Sequence, residues 1–255
     1  MKHILLAAFG LFAMILAAQV AEQPAGAGTL ENPYQIANFN NLLWIGQSSG
    51  YWSLHYIQTA NIDASASTQL DLGAGWTPIG NGGTMFTGSY DGGGYEIQGL
   101  YLSRASIFYI GMFGYANAAK LSRIHLRDIN MRGFVYAGGL VGVLTGGSMN
   151  NCSATGSIIG NTVVGGLVGY ANHHSVITNC YSQVAVQGVE HVGGLAGQNG
   201  LNYAYYYHCF SSGVVNGGAT YNQGGFIGNN GSGAAKYCYW DTQSSGLASS
   251  PLGTP

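Results

Sequence analysis

The stretch "GGLVGYANHHSVITNCYSQVAVQG", residues 165–188, decides the fold because its parts recur along the chain. Its opening returns as "IGMFG", "GGLVG", "GGLVG", "GGLAG" and "GGFIG", and these units step by 28, 27, 28 and 31 residues. Their last residues are Gly114, Gly142, Gly169, Gly197 and Gly228. A period of this length predicts a repeat architecture in which each repeat packs on the next.

Two further columns follow the same period. A second set of glycines recurs at Gly133, Gly160, Gly188, Gly217 and Gly246. Each of the last four lies eight residues after a cysteine, and the cysteines are Cys152, Cys180, Cys209 and Cys238. The distance from the first glycine column to the cysteine varies instead, at 10, 11, 12 and 10 residues. Each repeat therefore combines a rigid part of fixed length with an elastic turn.

The rigid part has the chemistry of β-strands. The segments "VAVQG", "GVVNG" and "INMRG" carry β-branched or apolar residues and end in glycine, which we expect to turn at positive φ. No sustained period of 3.6 residues indicates a helix in this part of the chain. A repeat of strand, turn, strand and turn predicts a parallel β-solenoid of about five coils, each about 4.8 Å above the last.

The cysteine column is expected to fill an interior row as small hydrophobes. Three interpretations stay open: free buried thiols, disulfides between adjacent coils such as Cys152 with Cys180, and a metal site. Cysteine ligands of metals come in close pairs, whereas these cysteines lie 28 or 29 residues apart. Stacked parallel side chains are poorly aimed for disulfides, although an even cysteine count in an exported chain is typical of them.

The first coil departs from the cysteine column. Counting eight residues back from Gly133 gives His125 instead of a cysteine. Either the column is broken in this coil, or a one-residue bulge places Ile124 or Leu126 in it. The sequence leaves both alternatives open.

Composition excludes one class of partner. Charged residues make up only 6% of the 255 residues, with 7 Lys and Arg against 9 Asp and Glu, and no basic run occurs. Nucleic-acid binding depends on clustered positive charge, so we expect no nucleic-acid partner. The hydrophobic share of 47% is ample for a core.

The start of the chain is typical of a signal peptide. A lysine precedes an apolar run from Ile4 to Ala18, and small residues allow cleavage between Ala18 and Ala27. No second apolar run reaches the roughly 18 residues of a membrane helix, so we expect export and no transmembrane segment. The predicted organisation is a signal peptide at 1–21, an N-terminal cap at 28–100, a solenoid at 101–246 and a tail at 247–255.

The cap region carries three local signals. "NFNNLLWIG" predicts a short helix with Asn38 as N-cap, which would cover the open end of the solenoid. "YIQTANID" predicts a strand by its alternation, and "YDGGGYEI" predicts a tight turn at Asp91 and Gly92 between two strands. We expect cap and coils to fold as one unit.

The whole pattern resembles the bacterial GLUG-motif repeat proteins, whose motif is similar to "VGGLVGYANHHSVITNCYSQVAVQG". "ENPYQIANFNNLLWI", "WTPIGN" and "FTGSYDGGGYEIQGLYL" resemble the segment that precedes such repeats, and "YCYWDTQSSG" resembles their closing unit. The resemblance covers about residues 31 to 246. It implies a secreted or cell-surface, adhesin-like protein without shared catalytic residues. The expected fold is all-β, a right-handed parallel β-helix of about five coils with an N-terminal capping segment.

A catalytic site is not expected. Many β-solenoids cut polysaccharides with carboxylates placed on adjacent coils, but one coil from Asp128 lies Gly156, which predicts no carboxylate stack. Asp63, Asp71, Asp91 and Glu96 all lie in the segment that precedes the coils. We expect Asp63, Asp71 and Asp241 to form turns.

The histidines are not expected to bind a metal. His173 and His174 are neighbours in an elastic turn, where both would face water. His191 and His208 occur singly. The sequence therefore predicts no metal ion and no cofactor.

Aromatic surface is the remaining candidate for binding. The longest elastic turn, "QNGLNYAYYYHC", concentrates Tyr203, Tyr205, Tyr206 and Tyr207. These side chains either pack between coils or contact a sugar or a protein. The packing interpretation includes an aromatic row of Tyr181, Phe210 and Tyr239 at one register.

The predicted function is that of a non-catalytic secreted or cell-surface protein used in structure or adhesion. The alternative is a polysaccharide-binding or polysaccharide-active β-helix protein. Low charge weakens the repulsion between strand edges, which predicts self-association into multimers or fibres. Against this, a tail containing Pro251 and Pro255 would blunt the last strand edge and leave a monomer.

Overall fold

The repeats stack as coils in a computed structural model, which describes residues 19–218 and 222–255. The apolar run of the predicted signal peptide lies outside the described residues. The N-terminal segment runs β1 (Tyr34–Ile36), α1 (Phe39–Gly46), a 3-10 helix (Ser49–Tyr51), β2 (His55–Gln58), β3 (Ile62–Asp63), two 3-10 helices (Ser65–Gln69 and Asp71–Gly73), β4 (Ser89–Asp91), β5 (Glu96–Gln98) and β6 (Tyr101–Ser103).

Regular coils follow the N-terminal segment, and each has four strands in the same order, except that two short strands share the fourth position in one coil. Their bounds are β7 (Phe108–Ile110), β8 (Phe113–Asn117), β9 (Lys120–Ser122), β10 (His125–Arg132), β11 (Val135–Gly138), β12 (Val141–Thr145), β13 (Ser148–Asn150), β14 (Ser153–Ile159), β15 (Thr162–Gly165), β16 (Val168–Asn172), β17 (Ser175–Thr178), β18 (Tyr181–Gln187), β19 (Glu190–Gly193), β20 (Ala196–Asn199), β21 (Ala204–Tyr207), β22 (Phe210–Ser211), β23 (Val215–Asn216), β24 (Gln223–Gly224), β25 (Ile227–Asn230), β26 (Ala234–Lys236) and β27 (Tyr239–Trp240). A short helix, α2 (Thr242–Ser245), comes after the last strand.

Four sheets run along the stack. Sheet 1 has the order β1-β2-β4-β9-β13-β17-β21-β26, and sheet 2 has the order β3-β5-β10-β14-β18-β22-β27 with β6 and β23 at its side. Sheet 3 is β7-β11-β15-β19-β24, and sheet 4 is β8-β12-β16-β20-β25. The strands within them pair in parallel, as in β14 with β18. The predicted all-β parallel solenoid of about five coils is confirmed.

The elastic turn lies between sheets 4 and 1. It has two residues at Gly146–Gly147 and at His173–His174, but four between Asn199 and Ala204. A coil therefore holds four strands instead of the two inferred from the glycine and cysteine spacing. The sequence pattern did not reveal the short strands of sheet 1, because they lie in the segment whose length varies from coil to coil.

The N-terminal segment continues the same sheets. Helix α1 begins after Asn38, whose side chain accepts a hydrogen bond from the Asn41 N–H at 2.9 Å, so the predicted helix and N-cap are both present. Phe39 and Leu42 of this helix are buried. The predicted strand "YIQTANID" is divided into β2 and β3, which belong to different sheets. The predicted turn at Asp91 and Gly92 links β4 to β5.

Glycines of the repeated "GGLVG" unit bring sheets 3 and 4 into backbone contact. A Cβ on Gly165 would lie 2.5 Å from the amide nitrogen of Gly197, and one on Gly193 would lie 2.5 Å from that of Gly228. Side chains of any size would separate the two sheets. The leucine between these glycines, for example Leu167, is fully buried.

The second glycine column has a steric role instead of the expected conformational one. Gly246 has a φ of 72°, but Gly133 and Gly160 are outside the left-handed region, as are Gly188 and Gly217. The expected positive φ is therefore wrong for four of the five. A Cβ on Gly133 would lie 2.0 Å from Ile110 Cγ1, so these positions are small because side chains of the next sheet fill the corner.

The cysteine column is a buried row of four free thiols. In the first coil a bulge in β10 resolves the sequence ambiguity. His125 pairs with Ser153, and the register then shifts between Leu126 and Ile129. Ile124, which precedes His125 and is fully buried, therefore occupies the position of Cys152 one coil earlier.

The C-terminal tail packs over the last coil. The Thr254 N–H donates to the Cys238 carbonyl at 2.9 Å, and the Thr254 carbonyl accepts from the Trp240 N–H at 3.1 Å. The Ser250 hydroxyl accepts from the Phe226 and Ile227 N–H groups at 3.2 and 2.9 Å. The tail thus satisfies backbone groups at the edges of sheets 2 and 4.

Candidate functional site

One outward-facing row of sheet 2 collects chemically distinctive side chains. Register pairs connect its members from coil to coil: Glu96, His125, Ser153, Tyr181, Phe210 and Tyr239. We call this set the outer row. Its last three members are large and exposed, at 41%, 39% and 47% of their surface. Exposed aromatic side chains in register across three coils are unusual on a protein surface and are typical of contact sites.

Acidic side chains gather at the other end of the outer row. Glu96 accepts from Arg127 Nη1 at 3.3 Å, and Asp128 Oδ2 lies 3.8 Å from Arg127 Nε. The same Asp128 oxygen accepts from Gln98 Nε2 at 3.2 Å, and Asp63 pairs with Gln98 in register. Carboxylates on three successive strands, β3, β5 and β10, therefore share one face. They are close without being stacked in register, since Glu96 pairs with His125 and Asp63 pairs with Gln98.

The sequence did not predict this proximity because of the bulge and the irregular N-terminal segment. Asp128 is the additional residue of the bulge and has a φ of 52°, so the offset that led to Gly156 does not identify its neighbours. Glu96 and Asp63 lie on strands that precede the glycine period, and no repeat signal predicts their place in sheet 2.

Two cavities open along the outer row. A groove of about 570 Å³ is lined by polar groups that include Glu96, Asp128, Thr155 and Gln183. A second, open cavity of about 470 Å³ is lined by Phe210 and Tyr239 of the outer row and by His208 and Tyr237 beside it. The rings of His208 and Tyr237 stack with centroids 5.1 Å apart and form a wall beside the outer row.

Ser153, His125 and Glu96 resemble the residue set of a serine hydrolase. The Ser153 hydroxyl lies 2.8 Å from His125 Nδ1, and burial lowers the pKa of His125 below its usual value while Glu96 opposes that shift. However, Ser153 is only 2% exposed. Among the described residues no hydrogen bond joins His125 to Glu96, whose carboxylate is paired with Arg127.

A histidine–serine pair of the same geometry occurs in sheet 1, where no hydrolase-like residue set surrounds it. In sheet 1, His55 Nδ1 lies 2.8 Å from the Ser89 hydroxyl, and the two residues are again in register on adjacent strands. A histidine and a serine on neighbouring coils thus bond to each other as part of the stack. We conclude that the His125–Ser153 pair orders the outer row.

The predicted tyrosine cluster is divided by the structure. Tyr206 is fully buried beside Ile177, and its hydroxyl donates to Asn199 Oδ1 at 2.6 Å, so it cannot contact a partner. The reason is strand alternation, which turns Tyr206 inward and its neighbours outward. Tyr203 and Tyr205 stack with centroids 6.2 Å apart, and His174 stacks on both. Tyr207 is exposed at the end of β21.

The other predicted turn acids have individual roles. Asp63 accepts from the Ser65 N–H at 2.9 Å, and Asp241 caps α2 by accepting from the Gln243 N–H at 2.9 Å. Asp71 does not cap a turn with its side chain and instead pairs with Arg104 at 2.7 Å. Burial alone would raise the pKa of Asp91, but hydrogen bonds from Arg123 and the Gly93 N–H hold it below its usual value.

Residues 19–218 and 222–255 offer neither a metal-binding cluster nor a helix able to span a membrane. These residues contain no group of three or more His, Cys, Asp or Glu side chains suited to a metal ion. None of their helices combines the length and apolar character needed to cross a bilayer. His173 and His174 are exposed, as the sequence predicts.

Comparison with known protein families finds the GLUG motif at residues 135–159 and again at 160–187. These residues comprise strands β11 to β18. The chain carries two consecutive GLUG motifs. Each motif is one complete coil of the solenoid, which begins in sheet 3 and ends in sheet 2, so the outer row crosses the GLUG coils at Ser153 and Tyr181.

Two curated proteins are similar over a larger part of the chain. Halomucin of Haloquadratum walsbyi is 36% identical over 165 residues, which is 62% of this chain and 2% of halomucin. The "Putative Gly-rich membrane protein" of Evansella cellulosilytica is 37% identical over 130 residues, which is 48% of this chain and 14% of that protein. The chain thus spans a small fraction of the length of each relative.

A solved structure has the same overall fold. It is the crystal structure of a "putative immunoglobulin A1 protease" from Bacteroides ovatus, with a TM-score of 0.66 and 19% sequence identity. The match covers 90% of this chain and 79% of that one. At this identity the likeness concerns the fold alone.

Proposed function

We propose that this GLUG chain is a non-catalytic protein of the cell surface or the extracellular space, which adheres to an external partner through the outer row of sheet 2. The observation that carries the proposal is the exposed, in-register row Tyr181, Phe210 and Tyr239. Aromatic side chains supply large contact area at low entropic cost, and they dominate the energetics of recognition surfaces.

Three further features support this proposal. The N-terminal sequence is typical of a signal peptide, and halomucin and the Gly-rich membrane protein have names that fit a surface location. Short turns and the close backbone contact between sheets 3 and 4 make the scaffold rigid. Side chains in register on such a scaffold keep fixed positions relative to one another. The Ser153 hydroxyl is buried, which disfavours nucleophilic chemistry at this site.

An adhesion assay with matched variants tests the proposal. Beads coated with the chain are washed over surfaces carrying neutral polysaccharides, anionic polysaccharides or collagen. A Tyr181→Ala, Phe210→Ala, Tyr239→Ala variant is expected to lose adhesion, whereas a Tyr203→Ala, Tyr205→Ala, Tyr207→Ala variant is expected to keep it. Adhesion that is lost only with the second variant, or absent throughout, contradicts the proposal.

A polysaccharide-active enzyme is the second candidate, and Glu96 with Asp128 favours it. Glycosidases require two carboxyl groups that flank the scissile bond. Here Arg127 contacts both carboxylates and neutralises part of their charge. Release of reducing ends from polysaccharide that stops in both Glu96→Gln and Asp128→Asn variants would establish this candidate in place of the first.

A further inference from the structure

We infer that the partner of the outer row is a neutral β-linked polysaccharide, which lies along sheet 2 parallel to the solenoid axis. This inference rests on the proposed function and names the ligand class of the same site. Three properties of the site carry it: the spacing of the aromatic side chains, the polar groups beside them, and the sign of the charge at one end.

The spacing follows from the stack itself. Tyr181, Phe210 and Tyr239 are register partners on β18, β22 and β27, so their Cα atoms recur at the strand spacing of about 4.8 Å and form a straight row. An extended β-linked polysaccharide is also straight. Such a chain can therefore lie along all three side chains, whereas a curved α-linked chain departs from the row after one or two rings.

The chemistry of the row matches the two surfaces of a sugar. The faces of a β-linked pyranose are apolar C–H surfaces, which pack on aromatic rings, and its edges carry hydroxyl groups. In the groove beside Tyr181, the exposed amide of Gln183 and the half-buried hydroxyl of Thr155 are in register on adjacent strands. These two side chains supply hydrogen-bond donors and acceptors for the hydroxyl groups at the edge of the ligand. The aromatic row supplies apolar contact area for its faces.

The stacked rings of His208 and Tyr237 extend the aromatic surface beside Phe210 and Tyr239. These four side chains line an open, shallow cavity of about 470 Å³, which offers a sugar ring more apolar area than the row alone. Lys236 lies with its Nζ 5.0 Å from the Tyr237 ring centroid and thereby holds the wall by a cation–π contact.

Charge selects against acidic sugars. Asp63, Glu96 and Asp128 share the opposite end of the face, and the single cation among them, Arg127, is engaged by two of the three. The Asp128 and Glu96 side chains are 63% and 43% exposed, so their negative field reaches the groove. Uronate and sulfated chains would be repelled there, whereas the hydroxyl groups of a neutral chain would donate hydrogen bonds to the carboxylates.

Calorimetric titration of the purified chain tests the inference. The probes are cellohexaose and N-acetylated chitohexaose, with maltohexaose as the α-linked control and oligogalacturonate as the anionic control. We expect binding of at least one β-linked probe, and none of maltohexaose or oligogalacturonate. Tyr181→Ala and Phe210→Ala should each weaken it about tenfold, because one stacked aromatic contact is lost. Phe210→Tyr should retain the affinity for the β-linked probe. Tyr203→Ala, at an exposed site outside the row, is the control and should retain it as well.

Charge variants give a second readout that does not depend on stacking. Glu96→Gln with Asp128→Asn should leave the affinity for the β-linked probe within about twofold and raise that for oligogalacturonate, because repulsion is removed. Binding that prefers oligogalacturonate in the unaltered chain, or that is weakened only by Tyr203→Ala, overturns the inference. If the chain binds none of the saccharides but the beads still adhere to collagen, the ligand class is wrong and the proposed function stands. If the unaltered chain adheres to no surface at all, both are wrong.

Discussion

Gly169 lies against Gly142 of the preceding coil so closely that a Cβ on Gly169 would be 2.5 Å from the Gly142 carbonyl oxygen. The next atoms that it would meet, Tyr136 C at 2.8 Å and Ala137 N at 2.9 Å, also belong to the backbone. Backbone atoms cannot rotate away as a side chain can. The glycines of the GLUG coils are thus required by the distance between sheets 3 and 4.

Gly169→Ala is therefore expected to destabilise the chain by about 3 kcal/mol, because a methyl group must separate two sheets that are in backbone contact. The control is Gly46→Ala at the end of α1, where a Cβ would meet nothing within 4 Å. That change should be neutral or slightly stabilising. Urea unfolding followed by circular dichroism measures both, and equal stability of the two variants would refute the packing explanation.

The thiols of the cysteine column are expected to be unreactive in the folded chain. Burial raises the pKa of Cys180, and hydrogen bonding to Cys180 together with burial raises the pKa of Cys209 to about 12. Thiolate is the reactive form, so alkylation at pH 8 should be slow without denaturant and should modify four thiols per chain in denaturant. Mass spectrometry counts the modified residues. Fewer than four under denaturing, non-reducing conditions would indicate disulfides between coils.

The same thiols predict a loss of stability at high pH. The pKa values of Cys180, Cys209 and Cys238 are raised in the folded state above the usual 9.0, so these thiols release protons first in the unfolded chain as the pH rises. Their contribution to the free energy of unfolding should be constant below about pH 9 and fall above it. Cys209→Ala should reduce the slope, and an unchanged slope in this variant would mean that other groups cause it.

His125 predicts the opposite dependence at acidic pH. Burial lowers its pKa in the folded state below the usual 6.5, although the charge of Glu96 opposes this. The unfolded chain therefore binds more protons, and stability should decrease as the pH falls below about 6.5. His125→Asn should flatten this part of the profile, while His174→Asn, at an exposed site outside the row, should not. Thermal unfolding from pH 7.5 to 5 distinguishes the two.

The tail is expected to limit self-association at the C-terminal end. Removal of residues 247–255 exposes the edges that Ser250 and Thr254 now satisfy, so light scattering should report larger assemblies than for the full chain. Ser250→Ala should cost about 1–2 kcal/mol because two N–H groups lose their acceptor, whereas the exposed Ser249→Ala should cost little. A truncated chain that stays monomeric at all concentrations would contradict the self-association prediction.

The regular part of the fold was predictable because its constraints repeat. Gly165 and Gly193 recur for the same steric reason in every coil, and Cys152 and Cys180 fill the same interior row. The strands that the regular coils add to sheet 1 were not predictable, since the turn before them changes length from coil to coil. Neither was the steric role of Gly133, because its neighbour Ile110 comes from another coil and another sheet.

The candidate site was predictable only in its aromatic half. Tyr181 and Phe210 lie one period apart, so their shared row follows from counting. The acidic half depends on the bulge at Asp128 and on the place of Glu96 in a segment without the period. The outward direction of Tyr203 and the inward direction of Tyr206 depend on where β21 begins, which the elastic turn conceals.

The central claim is that the outer row of sheet 2, and not the tyrosine-rich turn, is the contact surface. Hydroxyl-radical footprinting of the chain, with and without the surface to which it adheres, tests this claim most directly. The account predicts that oxidation of Tyr181, Phe210 and Tyr239 falls on binding while oxidation of Tyr203 and Tyr205 is unchanged. Protection confined to Tyr203 and Tyr205, with the outer row still oxidised, would contradict it.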